Sequence, residues 1–397
     1  MKAVVIAGGR GTRLRPLTLS VTKPLIEFCN KPILEYQIRA AIEGGVNHVI
    51  LATCNISNDI KQIIENLQRK YKIKIECSIE NVPLGTAGPI KLAEQIIMDP
   101  DDPSENILVF NGDIICNYPI TELISAHICK DADVTILATK VENPSSFGVI
   151  LHNDDMRVDK FVEKPSEFIG NLISAGMYVM NKRVIADIPL KNTSIERFLF
   201  PKIAERHRLY CYPFEGLWSD VGTPKDYLKA QELYIKLLSQ TFEHENQLLH
   251  STSFGNLFST SDEPRLSDTD PGATLVEDLS EIKFNVIPPI LIHPDAVIGK
   301  GCKIGPNVCI SSNVTIGEGC RIRNSSIMSD VNIGNYCFID GAILGWSCKL
   351  NNWTHIEGLS VFGEEVEINE SLVVCGSYIL PHKIISESIY QSGTIIM

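Results

Sequence analysis

Apolar residues in the first 235 positions fall into short runs separated by stretches of helical period. Residues 3–7 form an apolar run that stops at Gly8-Gly9, as a buried parallel strand does. Residues 32–42 carry apolar positions at helical spacing and end at Gly44-Gly45. Further strands are predicted over 48–53, 73–79, 107–110 and 134–138, with helices over 58–67 and 87–97. Strands alternating with helices predict an α/β domain: a Rossmann-like, mostly parallel sheet with helices on both faces. Such sheets bind ligands beyond the carboxyl ends of their strands. Gly8-Gly9 and Asp113, within Asn111-Gly112-Asp113, sit at those ends.

A different period governs the last third. Val286, Ile292, Ile298, Ile304, Ile310, Ile316 and Ile322 recur every six residues, with Gly299, Gly305 and Gly317 following. The phase slips by one near Met328, resumes at Ile333-Gly334 and Ile339, and returns at Leu350 and Ile356. Val361 and Val366 follow. One aliphatic per six residues predicts a left-handed parallel β-helix of hexapeptide repeats, each flat side pointing one aliphatic inward. Coils of this kind leave flanks and ends to cover, so assembly through them is expected. Residues 241–283 are polar and aperiodic, which predicts a linker or mobile insertion. The expected organisation is therefore 1–240, a linker over 241–283, and 284–397.

Composition narrows the function classes. The 397 residues hold 48 acidic and 36 basic side chains, a formal charge of −12, unlike the basic footprint of a nucleic-acid binder. No apolar run reaches membrane-span length. The opening run is too short for a signal segment, so a cytoplasmic chain is expected. The twelve cysteines show no Cys-x-x-Cys and no zinc spacing, and read as reduced core residues.

The chemistry concentrates near the first strand. Gly8, Gly9, Gly11 and Thr12 let backbone N–H groups approach a phosphate, and Arg13, Arg15 and Lys23 supply cations for a polyphosphate. The loop lacks the Gly-Lys-Ser/Thr of a Walker motif. Asp113, ending a buried strand, and Asp220, isolated in Trp218-Ser219-Asp220-Val221-Gly222, read as cation ligands or as turn caps. Lys164 precedes Pro165, which predicts an extended backbone that aims its side chain. Thr86 reads either as a ligand contact or as the cap of the helix after it. His48, His127 and His152 read as structural or exposed, and Trp346 and Trp353 as packing or interface residues.

The combined run from Gly8 to Thr18, with Lys23-Pro24 downstream, resembles that of the sugar-1-phosphate nucleotidylyltransferases. Segments 28–34, 83–88, 147–149, 161–165, 175–178, 193–196 and 218–224 extend the resemblance. So do 343–346, 380–383 and 395–397 in the repeat. The resemblance implies in-line attack of a sugar phosphate on the α-phosphorus of a nucleoside triphosphate, with GTP and mannose 1-phosphate as substrates. It implies Mg²⁺ on Asp113 and Asp220, charge stabilisation by Arg13 and Lys23, and Lys164 on the sugar phosphate. Asn111 and Asp113 would face the nucleotide, and Glu80, Gly85 and Thr86 its base. Gly148, Glu163, Asn171, Ala175 and Gly176 would face the sugar, although Ser174 replaces the family's usual asparagine. It also implies a homo-oligomer through the β-helix, and a partner role for a regulatory alpha-type subunit, with no nucleic acid or membrane.

Three alternatives stay open at this point. Another nucleotide and sugar pair would use the same residues. A non-catalytic regulatory member that binds GDP-mannose would share both domains, but such members tend to lose equivalents of Arg13, Lys23, Asp113 or Lys164. A repeat-domain acyltransferase would need a histidine base, for which His355 and His382 are the candidates.

Overall fold

The run behind Gly8-Gly9 forms the strand Lys2–Ile6, which pairs in parallel with His48–Thr53 on one side and Asn106–Asn111 on the other. In this computed structural model the described residues are 1–9, 11–54, 58–251 and 284–397. They divide into two units. Met1–Gly11, Thr22–Leu25 and Pro32–Asp220 make the first, and Thr12–Val21, Ile26–Lys31 and Val221–Met397 the second.

The first unit is built on a nine-stranded sheet. Its parallel half is the one the apolar runs predict, extended by Lys74–Ile79 beside His48–Thr53. The other half is mixed: Leu172–Asn181 opposes both Asn106–Asn111 and Val134–Lys140, Gly148–His152 forms a hairpin with Val158–Glu163, and Leu209–Pro213 runs parallel to Val134–Lys140. The sheet is thus mixed. A hairpin reverses the chain in a few residues and needs no crossover helix, so the four consecutive strands between Val134 and Asn181 show no strand–helix alternation in sequence.

Burial on both faces follows from the pleat. Val4, Ile50, Ala52, Ile107 and Val109 pack in one core with Ile90 of the helix Gly88–Leu92 and Phe200 of Phe200–Glu205. Their alternating neighbours Ala3, Val5, Val49, Leu51, Leu108 and Phe110 are equally buried. Strands buried on both faces lose polar alternation and read as continuous apolar runs. The predicted helix over 87–97 is two pieces, Gly88–Leu92 and Glu94–Ile97. The chain leaves helical geometry at Ala93, whose N–H is shared by the Pro89 and Lys91 carbonyls.

The second unit contains the parallel β-helix, left-handed as the hexapeptide repeat predicts, with ladders of six, seven and six strands on its three sides. Ile304, Ile322, Ile339 and Ile356 stack in register on one side, all fully buried. Eighteen residues separate Ile298 from its partner Ile316, but seventeen separate Ile316 from Ile333. The phase slip near Met328 is this one-residue shortening of the coil. The helix Pro224–Ser251 runs past residue 241, so the expected linker begins later than its polarity suggests. The remainder of that stretch, 252–283, lies outside the described residues. All twelve cysteines are free, but Cys54 and Cys129 are exposed, which corrects their reading as core residues. Among the described residues no helix is long and apolar enough to cross a membrane.

Candidate active site

Two close approaches shape the carboxyl ends of the central strands. Gly112 donates its N–H to the Ile6 carbonyl at 3.1 Å. A Cβ on Gly112 would fall 2.6 Å from Pro24 Cγ and 2.8 Å from that carbonyl, so only glycine lets the Lys23-Pro24 turn pack there. Lys23 opens the short 3₁₀ turn Lys23–Leu25 and points its ammonium at Asp113. Asp220 ends the strand Trp218–Asp220, which pairs antiparallel with Ile114–Cys116 and registers Asp220 against Ile114. The ladder thereby brings two carboxylates 107 positions apart in sequence to one ammonium, with Asp220 Oδ1 3.7 Å from Lys23 Nζ.

Asp113 and Asp220 share the wall of a cleft of about 410 Å³ with Gly85, Thr86, Asn111, Gly148, Glu163, Lys164 and Gly176. That volume suits a small-molecule site. Glu163 is half-buried, and burial first, then the charge of Glu196, raises its pKa above the ordinary carboxylate value. Lys164 Nζ lies 3.5 Å from Glu163 Oε1. The Lys164 backbone has φ of +49°, not the extended geometry predicted from Lys-Pro. Its N–H donates to the Phe147 carbonyl at 3.0 Å, and this bond holds the residue in the sparsely populated left-handed region.

Several residues of the cleft carry no sequence-based expectation, Glu196, Tyr178 and Trp218 among them. Glu196 Oε2 accepts from Thr86 Oγ1 at 2.8 Å and from Ser194 Oγ at 2.6 Å. Thr86 Oγ1 in turn accepts the Ile195 N–H at 2.8 Å, while the helix Gly88–Leu92 has no side-chain cap. The helix-cap alternative for Thr86 is therefore displaced by a tie between the segments around 86 and 195. Tyr178 is buried, and its hydroxyl accepts from Asn111 Nδ2 at 3.4 Å. Trp218 donates from Nε1 to the Ala175 carbonyl at 3.0 Å and meets Phe147 edge-on. The signal available for Glu196 and Trp218 was their place in segments 193–196 and 218–224.

Other predicted residues lie elsewhere. Glu80 is buried, accepts the Leu84 N–H at 3.0 Å, and has its pKa raised by burial. Its Oε1 has no hydrogen-bond partner among the described residues. Gly8 adjoins this carboxylate, Gly9 is exposed, and Gly11 has φ of +56°. Thr12 and Arg13 form the 3₁₀ turn Thr12–Leu14 of the second unit. Asn171 is exposed just before the strand Leu172–Asn181 and does not line the cleft.

Two carboxylates converging on one cation present hard oxygen donors of the kind Mg²⁺ takes together with substrate phosphates. Among the described residues no cluster of three or more protein ligands forms. Two protein carboxylates would leave the rest of such an ion's shell to phosphate and water.

The fold is that of a nucleotidyl transferase. The nucleotidyl transferase family model matches residues 2–236, so the chain belongs to that family, and the "GMPPB C-terminal domain" model matches 286–395. Curated relatives matching over whole length include the mannose-1-phosphate guanyltransferase of Schizosaccharomyces pombe, 39% identical with 100% of both chains covered. The Danio rerio mannose-1-phosphate guanylyltransferase catalytic subunit beta is 37% identical, also over 100% of both chains. A solved putative glucose-1-phosphate thymidylyltransferase from Bacillus anthracis superposes with a TM-score of 0.53 at 19% identity. It covers 64% of this chain and 98% of its own, and it supports the fold alone.

Proposed function

We propose that the chain transfers GMP from GTP to α-D-mannose 1-phosphate, releasing diphosphate and GDP-mannose. The gathering of Asp113, Asp220, Glu163 and Lys164 along one cleft, with the Lys23 ammonium against the two aspartates, supports this reading most directly. The names of the full-length relatives supply the substrate pair.

A phosphate oxygen of mannose 1-phosphate attacks the α-phosphorus. The new O–Pα bond forms as the bond to the β-phosphate oxygen breaks, and diphosphate carries away the electron pair. No covalent enzyme intermediate and no general base are needed, because the attacking oxygen is already anionic. Catalysis is positioning and charge neutralisation. Lys164 holds the attacking phosphate against its repulsion by the triphosphate. Lys23 neutralises charge that accumulates on the departing diphosphate, and Arg13 of the same sequence motif adds to it. Glu163 accepts from sugar hydroxyls. Glu80 accepts N–H donors of the guanine edge through its unoccupied Oε1. Asp113 and Asp220 would hold a Mg²⁺ ion, which would supply charge to screen the nucleotide phosphates. In the cell we place the chain in the cytoplasm, as a homo-oligomer through the β-helix and in contact with a regulatory alpha-type subunit.

Replacing Asp220 by Asn tests the metal assignment. The variant is expected to need at least tenfold more Mg²⁺ for half-maximal turnover, and Asp113→Ala to lose at least 100-fold in kcat. An unchanged Mg²⁺ requirement with kcat within twofold of the parent would remove both residues from the mechanism.

A further inference from the structure

Segments 28–34 and 343–346 stand out in the sequence, yet neither lines the cleft. Within the second unit the strand Glu27–Phe28 lies beside Trp346 of the β-helix. The buried Glu27 carboxylate accepts from Ser329 Oγ at 2.8 Å, from the Ser329 N–H at 3.3 Å and from Trp346 Nε1 at 3.2 Å. Its backbone carbonyl accepts the Tyr227 hydroxyl at 2.7 Å. The chain then turns at Cys29 and Asn30, with φ of 46° and 71°. Asn30 Oδ1 accepts from Ser311 Oγ at 2.9 Å and Cys309 Sγ at 3.1 Å. Phe28 meets the rings of Tyr227 and Tyr234 edge-on at 5.5 and 5.8 Å.

A latch needs no carboxylate. Apolar residues of equal volume would hold a strand on a β-helix flank without the desolvation cost of Glu27. A fully partnered buried carboxylate does something apolar packing does not: its directional bonds admit one register and one rotation of the segment. Four residues upstream in the same chain is Lys23.

We infer that Glu27 is a positioning residue, which the β-helix side chains Ser329 and Trp346 hold so that the backbone at Ile26–Lys31 fixes the reach of Lys23 to Asp113 and Asp220. The inference rests on the catalytic role given to Lys23 above.

The full chain is assayed as Glu27→Gln, Trp346→Phe, Ser329→Ala and Ser329→Thr, each also combined with Lys23→Ala. Glu27→Gln, Trp346→Phe and Ser329→Ala are expected to lower kcat at least tenfold and to raise the KM for GTP, with the KM for mannose 1-phosphate changed less than threefold. Ser329→Thr, which keeps the hydroxyl, should restore most of the loss. In the Lys23→Ala background none should lower kcat further. Ile356→Val, in the β-helix core, should lower the melting temperature comparably and leave kcat intact. Should Glu27→Gln not fold, Trp346→Phe, which keeps an aromatic ring in place, carries the test. Full kcat in both, or an equal loss in the Lys23→Ala background, would overturn the inference. A readout without turnover separates this failure from failure of the proposed function. GTP should raise the melting temperature of the parent, and Lys23→Ala and Glu27→Gln should diminish that shift alike. If that pattern appears in a parent that turns over no substrate pair, the reaction assignment falls and the positioning role stands. If Glu27→Gln keeps the full shift, the positioning role falls.

Discussion

Gly8 is glycine because of Glu80: a Cβ there would fall 2.0 Å from Glu80 Oε1. The loop glycine that reads as a phosphate contact thus also makes room for the carboxylate assigned to the base. Asp113, Asp220 and Lys23 each stood out in the sequence, as lone carboxylates and a lysine in a dense loop motif, and the structure brings the three together. Glu196 did not stand out, since its partner Thr86 lies 110 positions away and neither residue is unusual where it stands. Lys164 lines the cleft, but its backbone was misread, because a tertiary bond to Phe147 overrides the local preference before proline. Lys164→Ala should raise KM for mannose 1-phosphate at least tenfold while the KM for GTP stays within threefold, measured by initial rates of diphosphate release. An unchanged KM for the sugar phosphate would detach Lys164 from it. His127 has the structural role expected of it: buried against Thr135 and Asn106, its pKa is pushed down from 6.5 to about 4. The unfolded chain therefore binds the extra proton between those values. Stability from this neutral histidine is full above pH 6.5 and is lost as pH falls through about 4, amounting to up to about 3 kcal/mol. His127→Gln should flatten the dependence of unfolding free energy on pH between 6.5 and 4. An identical slope in both proteins would contradict this.

At the scale of elements, legibility followed the geometry of burial. Strands covered on both faces announce themselves as apolar runs, so Lys2–Ile6 and His48–Thr53 were placed to within a residue. The hairpin Gly148–His152 with Val158–Glu163 was not assigned, because it follows no strand–helix alternation. The β-helix was the most legible element, since each inward position repeats an aliphatic and the ladder stacks like on like. Ile339 sits between Ile322 and Ile356 with no exposure. Ile339→Ala should cost about 2–5 kcal/mol in denaturant unfolding of the full chain. A loss below about 1 kcal/mol would mean that the coil collapses around the void and that the stack is looser than its register implies.

For the whole molecule, the sequence suggests a division near residue 240, but the units are interleaved. Thr12–Val21 and Ile26–Lys31 group with the β-helix, although they precede most of the α/β sheet in the chain. Hydrophobic periodicity has no means of showing this, because the polar bonds of Glu27 and Asn30 span some 280 to 320 positions. The matched pair of family models likewise spans nearly the whole chain as two successive pieces. The central claim is that this molecule joins GMP to mannose 1-phosphate, and diphosphate release tests it most directly. GTP, ATP and UTP are each crossed with mannose 1-phosphate and glucose 1-phosphate in the presence of Mg²⁺. The account predicts that GTP with mannose 1-phosphate exceeds every other pair in kcat/KM by at least tenfold. Preference for another pair would contradict the substrate assignment, and no diphosphate from any pair would contradict the catalytic one.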